Sequence, residues 1–362
     1  MTIDKAQIDA ILHSVIDPNT TEPVTAGKGV RNIAIDGDAI SLEVVLGYPD
    51  KSQDSLIQAR VEKALRAVQG VVHLHVVVSH QIMTHSVQCG VQLLPNVRNI
   101  IAVASGKGGV GKSTTSANIA LMLTAEGASV GVLDADIYSP SQPTMLGIEG
   151  HPASEDGKTM MPLEGYGVQV NSIGFLVEQS DPMIWRGPMA ASALEQLLRQ
   201  TNWHNLDYLI VDMPPGTGDI QLTFLQRVPV TGVVIVTTPQ EIALLGARKG
   251  LKMFKKFGVP ILGVVENMSI YTCSHCGHGE PIFGDAGGKR LCAQYGTPFL
   301  GSLPLDLSIR EHADLGRPIV GTNPNGRIAG LYRDIARQLS VQIAKLSLDT
   351  SWRFPSIIAQ NI

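Results

Sequence analysis

Four cysteines in 362 residues are too few to staple a fold of this size, and two of them, Cys273 and Cys276, form an isolated C-x-x-C pair. A disulfide framework is therefore excluded. Charge of one sign is missing too. The 28 Lys and Arg face 32 Asp and Glu for a net charge of -4, so nucleic acid and anionic membranes exert no general attraction, and the expected partners include neither. Apolar runs such as Gly232 to Val236 and Ile261 to Val265 fall well short of the roughly 20 residues of a membrane helix and read as buried strands. The opening MTIDKAQIDA has no basic stretch followed by an apolar one, which together with the sparse cysteines gives a cytoplasmic expectation. There is no internal repeat and no low-complexity segment. What is present is 44% hydrophobic residues, enough for one large core and a smaller one.

The first stretch reads as a small α+β domain over residues 1–82. Ile8, Ile11, Leu12 and Val15 recur at helical spacing before the Asp17-Pro18-Asn19 turn. Strands Val30 to Ile35 and Ile40 to Leu46 flank Asp36-Gly37-Asp38 as a hairpin. Ser52 is placed to cap a helix whose face is Ile57, Val61, Leu65 and Val68, with Gly70 closing it before a strand containing Val72, Leu74, Val76 and Val78. His73 and His75 share one face of that strand, as a solvent-facing pair or a metal pair, the former being the commoner arrangement. Residues 83–97 read as a linker and 98–350 as a second domain, with a tail over 351–362. In the second domain short apolar strands alternate with helices, which predicts an α/β fold: a mainly parallel sheet covered by helices on both faces, with sites at the carboxyl ends of the strands.

After strand Ile100 to Ala104 comes Gly106-Lys107-Gly108-Gly109-Val110-Gly111-Lys112-Ser113-Thr114, followed by a helix. This matches G-x-x-x-x-G-K-[ST] in its required strand, loop and helix setting, and a ligand-free glycine turn does not account for four fixed positions in that context. Glycines let backbone N–H groups converge on phosphate oxygens, Lys112 reaches the β and γ phosphates, and Ser113 ligates Mg²⁺. The second lysine, Lys107, lies at the mouth of the loop, where a solvated surface cation is the plain alternative. Two later strands end in carboxylates: Asp134 and Asp136 in LDADIYSPS, and Asp212 in LIVDMPPGTGD. An apolar strand with an acidic tip is the arrangement that holds Mg²⁺ directly or through water. Asp219 reads as a helix cap more readily than as a catalytic group, and Asn267 as a turn residue or a ligand contact.

Cys273-Ser274-His275-Cys276-Gly277-His278 packs two thiols and two imidazoles into one loop. From the loop alone an iron-sulfur cluster, a zinc site completed by histidine and a redox pair all stand, since such a pattern away from oxidising compartments reads as metal-binding or catalytic. A four-cysteine zinc ribbon does not stand. The spacing continues to Cys292, but position 295 is Tyr295.

The string GKGGVGKST, with LDADIYSPS, DMPPGTGD, TTPQEIAL, PFLGSLPLD and the C-x-x-C that follows Glu266-Asn267-Met268, resembles the Mrp/ApbC family of ATP-dependent iron-sulfur cluster carriers, a deviant Walker A group related to MinD and ParA. The N-terminal unit resembles the MIP18-like module often fused to it. The resemblance implies a homodimeric ATPase using ATP and Mg²⁺, which takes a [4Fe-4S] cluster from an assembly scaffold and delivers it to apo iron-sulfur proteins. It further implies that Lys107 reaches the partner's nucleotide, Asp212 partners Mg²⁺, Asp136 positions the attacking water, Asn267 reads the adenine edge, and Cys273 and Cys276 hold the cluster between subunits. Asp134 braces the site, while Cys89 and Cys292 fall outside the cluster motif and read as structural. The rival class is a MinD- or ParA-like positioning ATPase acting on membrane or DNA, which needs no cysteines; an electron-donating reductase like nitrogenase iron protein is a third.

Overall fold

A computed structural model describes residues 4–88, 91–177, 187–273 and 275–348. Cys89 and the tail from 351 lie outside the described residues, as do the side chains of residues 187, 188, 219 and 220. The first unit contains helix α1 (Lys5–Ser14), strands β1 (Val30–Asp36) and β2 (Ala39–Leu46), helix α2 (Asp54–Leu65) and strand β3 (His73–His80). The Asp4 carboxylate starts α1 by accepting the Ala6 N–H at 3.1 Å. β2 pairs antiparallel with β1 and parallel with β3. Its Ile40, Leu42, Val44 and Leu46 all point into a core with Ile8, Leu12, Ile57, Val61 and Leu65, as period-two alternation requires. His73 and His75 are exposed on the other face.

Ser52 does not cap α2. A 3₁₀ turn over Lys51–Gln53 precedes the helix, and Gln53 stands ahead of it without a side-chain cap. The Ser52 backbone N–H instead donates to Glu126 Oε2 at 2.9 Å, and its hydroxyl accepts from Arg337 at 3.2 Å, so a contact between the two units takes the groups a cap would use. α2 also ends at Leu65, ahead of Gly70.

The second unit runs β4 (Val97–Ser105), α3 (Lys112–Ala125), β5 (Val130–Asp134), α4 (Gln142–Leu146), β6 (Leu163–Gly165), β7 (Val168–Ser172), α5 (Gly187–Arg199), β8 (Leu206–Asp212), α6 (Asp219–Arg227), β9 (Gly232–Thr237), α7 (Glu241–Lys256), β10 (Ile261–Glu266), β11 (Tyr271–Thr272), β12 (Gly279–Glu280), α8 (Gly287–Tyr295), β13 (Phe299–Ser302), α9 (Leu307–Asp314), α10 (Ile319–Thr322) and α11 (Arg327–Ala344). Eight strands form one sheet in the order β13-β10-β9-β4-β8-β5-β7-β6, parallel except for β6 at the edge. β6 and β7 escape the sequence reading because they are short and β7 alternates only briefly; burial beside β5 defines it. The central strands feed two cores. Ile101, Val103, Tyr208 and Ile210 pack with α3, α10 and α11, whereas Ile100, Ala102, Leu209 and Val211 pack with α5 to α8. Burial on both faces is why these strands read as continuous apolar runs.

In the segment joining the units, Met83 and His85 are tied to β4. His85 is buried and within 2.9 Å of Asn99 Oδ1, and Asn99 Nδ2 donates to the Met83 carbonyl.

Candidate functional site

β4 lies at the centre of the sheet and delivers the loop Gly106 to Gly111 at its carboxyl end, flanked by the tips of β8 and β9. Two glycines there are sterically required. A Cβ on Gly106 would sit 2.0 Å from the carbonyl carbon of Gly246 in α7, and one on Gly111, whose φ is +81°, would meet Asn267 Nδ2 at 2.1 Å. The first turn of α3 carries no side-chain cap, so its orphan N–H groups are presented by the loop to whatever binds there.

Asp212, at the tip of β8 and fully buried, is the hub of the site. Its Oδ1 accepts from Lys112 Nζ at 2.5 Å and from the Ser116 hydroxyl at 3.0 Å; its Oδ2 accepts from Gln142 Nε2 at 3.0 Å. Lys112 Nζ also donates to Ser113 Oγ at 3.1 Å. Lys112, Ser113 and Asp212, a hundred residues apart in sequence at their extremes, thus meet in one cluster.

Asp134 ends β5 and is completely buried. Its Oδ2 accepts from the Ser141 and Gln142 N–H groups at 2.8 and 3.0 Å and from the Ser172 hydroxyl at 3.1 Å. Burial, and then the neighbouring charge of Asp212, push its carboxyl up to about 7. Asp136, also buried, is raised by desolvation against the pull of Lys112, and accepts from the Ser139 N–H at 3.2 Å. The charges of Lys112 and Asp212 thus act on both Asp134 and Asp136.

Lys107 is exposed at the mouth of the loop, and its carbonyl accepts from the Ser105 hydroxyl at 3.0 Å. Gly108 and Gly109 face open space, Val110 is buried, and Thr114 Oγ1 lies 3.9 Å from Met145 Sδ. Asn267, just past β10, donates from Nδ2 to the Val110 carbonyl at 2.9 Å. The same turn then rises into the β11–β12 hairpin, anchored by Ser269 N–H to Leu303 O and Leu305 N–H to Ile270 O. Cys273 and Cys276 sit in the tip of that hairpin, closed by Cys273 N–H to His278 O and Gly277 N–H to Cys273 O, both 2.9 Å. The backbone N–H groups of Cys276 and His275 hold the Cys273 thiol below the usual cysteine range, which favours the metal-binding thiolate. Among the described residues no third His, Cys, Asp or Glu joins the pair as a ligand cluster. Cys292 is apart, buried with Sγ 3.3 Å from Pro298 O, and burial raises its thiol.

Sequence reasoning passed over Ser116 and Gln142. Ser116 lies one turn beyond Lys112 on the inner face of α3, a spacing that was legible; Gln142 had no signal, because only the fold brings α4 against Asp212. Nucleotide and Mg²⁺ fit what is present: the uncapped helix turn offers donors for phosphate, and Gln142 Oε1 and Ser141 Oγ are buried without a partner among the described residues, next to the Asp212 and Asp134 carboxylates.

Strand, glycine loop and helix, with carboxylates at the neighbouring strand tips, define a P-loop nucleoside triphosphatase. Residues 96–340 match the NUBPL iron-transfer P-loop NTPase family, and the chain belongs to it; residues 5–76 match the iron-sulfur cluster assembly protein family. It is 55% identical to an iron-sulfur cluster carrier protein of Pseudomonas fragi over 76% of this chain and 97% of that one. Its identity to the iron-sulfur cluster carrier protein of Escherichia coli strain K12 is 46%, over 94% of this chain and 92% of that one. Among solved structures it resembles a nucleotide-binding protein from Archaeoglobus fulgidus in complex with ADP, with a TM-score of 0.55 and 37% identity, covering 61% of this chain and 88% of that one. Among the described residues no helix is long and apolar enough to cross a membrane.

Proposed function

We propose that this chain is an ATP-hydrolysing carrier that holds a [4Fe-4S] cluster between two copies of itself and passes it to apo-proteins. The observation that carries the reading is the bond from Asn267 to the Val110 carbonyl: it ties the phosphate loop to the turn from which the cysteine hairpin rises. A change in the loop on nucleotide binding is thereby felt at the base of the cluster loop. The names of the relatives support cluster carriage.

Each chain offers one close thiol pair and no further ligand cluster among its described residues. A [4Fe-4S] centre generally takes four thiolates, so a two-fold axis through the cluster is the economical solution. Ile270, Tyr271, Ile282 and Leu307 are exposed apolar residues at and around the hairpin, a surface that a second copy would cover. A cluster held at such a seam by two ligands per side is released when the seam opens.

In the nucleotide site Mg²⁺ would neutralise phosphate charge, and Ser113 and Asp212 would hold it. The N–H groups of residues 108–114 cradle the phosphates, and Lys112 swings from Asp212 to the β and γ oxygens. Asp136 orients the attacking water, its burial making it a better acceptor of the water proton, and hydrolysis yields ADP and phosphate. Lys107, exposed and without an ion pair among the described residues, reaches the partner's γ-phosphate. Asn267 offers its Oδ1 to the adenine amino group while Nδ2 stays on Val110. Apo-proteins and an assembly scaffold are the partners.

The test is anaerobic reconstitution, with iron and acid-labile sulfide measured per chain and mass by light scattering. About one [4Fe-4S] per dimer is expected, lost in Cys273→Ala and Cys276→Ala while ATP binding persists. A monomer that keeps a full cluster, or one zinc per chain with no sulfide, overturns the bridging reading.

A further inference from the structure

Gln142 is fully buried, yet its amide is only half used. Nε2 donates to Asp212 Oδ2 at 3.0 Å and to the Ser113 carbonyl at 3.1 Å. Both are acceptors, so the amide cannot be turned over without setting oxygen against oxygen, and its orientation is fixed. Oε1, one carbon away on the same group, has no protein partner among the described residues. Burying an amide oxygen unpaired is unfavourable, and a side chain on a short helix would avoid it by turning outward. The backbone N–H of the same residue donates to Asp134 Oδ2, so Gln142 spans two of the three acidic residues of the site.

We propose that Gln142 is a positioning residue for the hydrated divalent cation: Nε2 orients the Asp212 carboxylate, and Oε1 accepts a hydrogen bond from a water on the metal. Mg²⁺ keeps several of its waters when bound by one or two protein groups, and such waters are strong donors that need acceptors. Asp212 and Ser113 supply the direct or water-bridged ligands, while Gln142 supplies a neutral acceptor that adds no charge to an already acidic cluster. Outer-sphere partners of this kind set metal affinity by about 10- to 100-fold. The role also explains why a polar residue occupies the position: an apolar side chain of equal volume would fill the space but leave Asp212 Oδ2 without its donor.

This inference rests on the nucleotide reading, and the experiment separates the two. A fluorescent N-methylanthraniloyl ADP is bound to the full-length chain first in EDTA and then across a Mg²⁺ titration, for wild type and Gln142→Met. The expected result is a rise of about tenfold in the Mg²⁺ concentration at half-effect, with nucleotide affinity in EDTA within about twofold of wild type. An unchanged Mg²⁺ midpoint, or an equal loss in EDTA and in Mg²⁺, overturns the positioning role and leaves the nucleotide site standing. A wild-type chain that binds no nucleotide in either buffer overturns both. Should Gln142→Met fail to fold, Gln142→Asn, which withdraws the amide by one methylene, takes its place with the same expectation.

Discussion

Glu126, one residue past the end of α3, accepts the Ser52 N–H of the first unit at 2.9 Å. Its other oxygen accepts from Arg333 of α11 at 2.8 Å. α3 starts at the phosphate loop and runs as a single 14-residue helix to this contact, so one rigid element links the nucleotide site to the N-terminal unit. Glu126→Ala should remove a charged acceptor from two donors and weaken the seam by roughly 1–3 kcal/mol. Amide hydrogen exchange over residues 50–65 reads this directly: faster exchange there with the sheet core unchanged is expected, and unchanged exchange would show that the seam is held by other contacts.

The same seam gives a pH prediction. Asp50 is fully buried and pairs with Arg337 at 2.9 Å, yet desolvation outweighs the arginine and raises its carboxyl to about 6. A raised acid binds its proton in the folded state over a window where the unfolded chain has released it. Its contribution to stability is therefore largest below about 4 and falls as pH rises to about 6. Relative to wild type, Asp50→Asn should gain stability between pH 4 and pH 7, a difference read between the two pH values because the substitution also takes from Arg337 its buried carboxylate. Thermal unfolding of both proteins at these two pH values checks the sign; a variant less stable at pH 7 than at pH 4, relative to wild type, contradicts it.

Lys112→Ala should abolish nucleotide binding, since Lys112 is the cation that meets Asp212 and Ser113 beside the phosphate loop. It should also lower stability by several kcal/mol, because Asp212 would be left buried without its cation. Adding Asp212→Asn should restore most of the lost thermal stability and none of the nucleotide binding. Calorimetric melting and nucleotide titration of the single and double variants separate the two effects.

Lys107→Ala should spare nucleotide binding and reduce hydrolysis, because its side chain is exposed at the loop mouth rather than folded into its own site. Mixed dimers are the decisive measurement. Pairing Lys107→Ala with a hydrolysis-dead Asp136→Ala chain regains activity only if the lysine acts across the interface.

Much of this protein is written locally. The P-loop, the acidic strand tips and the cysteine pair each occupy a few adjacent residues whose types fix their geometry, and β5, β9 and β10 follow from apolar runs bounded by turns, so the sequence alone determined the P-loop class and the candidate residues. Tertiary structure decided the rest, wherever a residue's partner lies far along the chain. Ser52 looks like a helix cap until Glu126 and Arg337 occupy it. β7 becomes a strand because β5 supplies its ladder. Gln142 joins the site because α4 folds back onto Asp212, 70 residues away, and Asn267 reaches the Val110 carbonyl of the phosphate loop across 157 residues. A pattern read along the chain reports short-range conformational preference, whereas hydrogen bonds between distant segments depend on where the packed sheet places them.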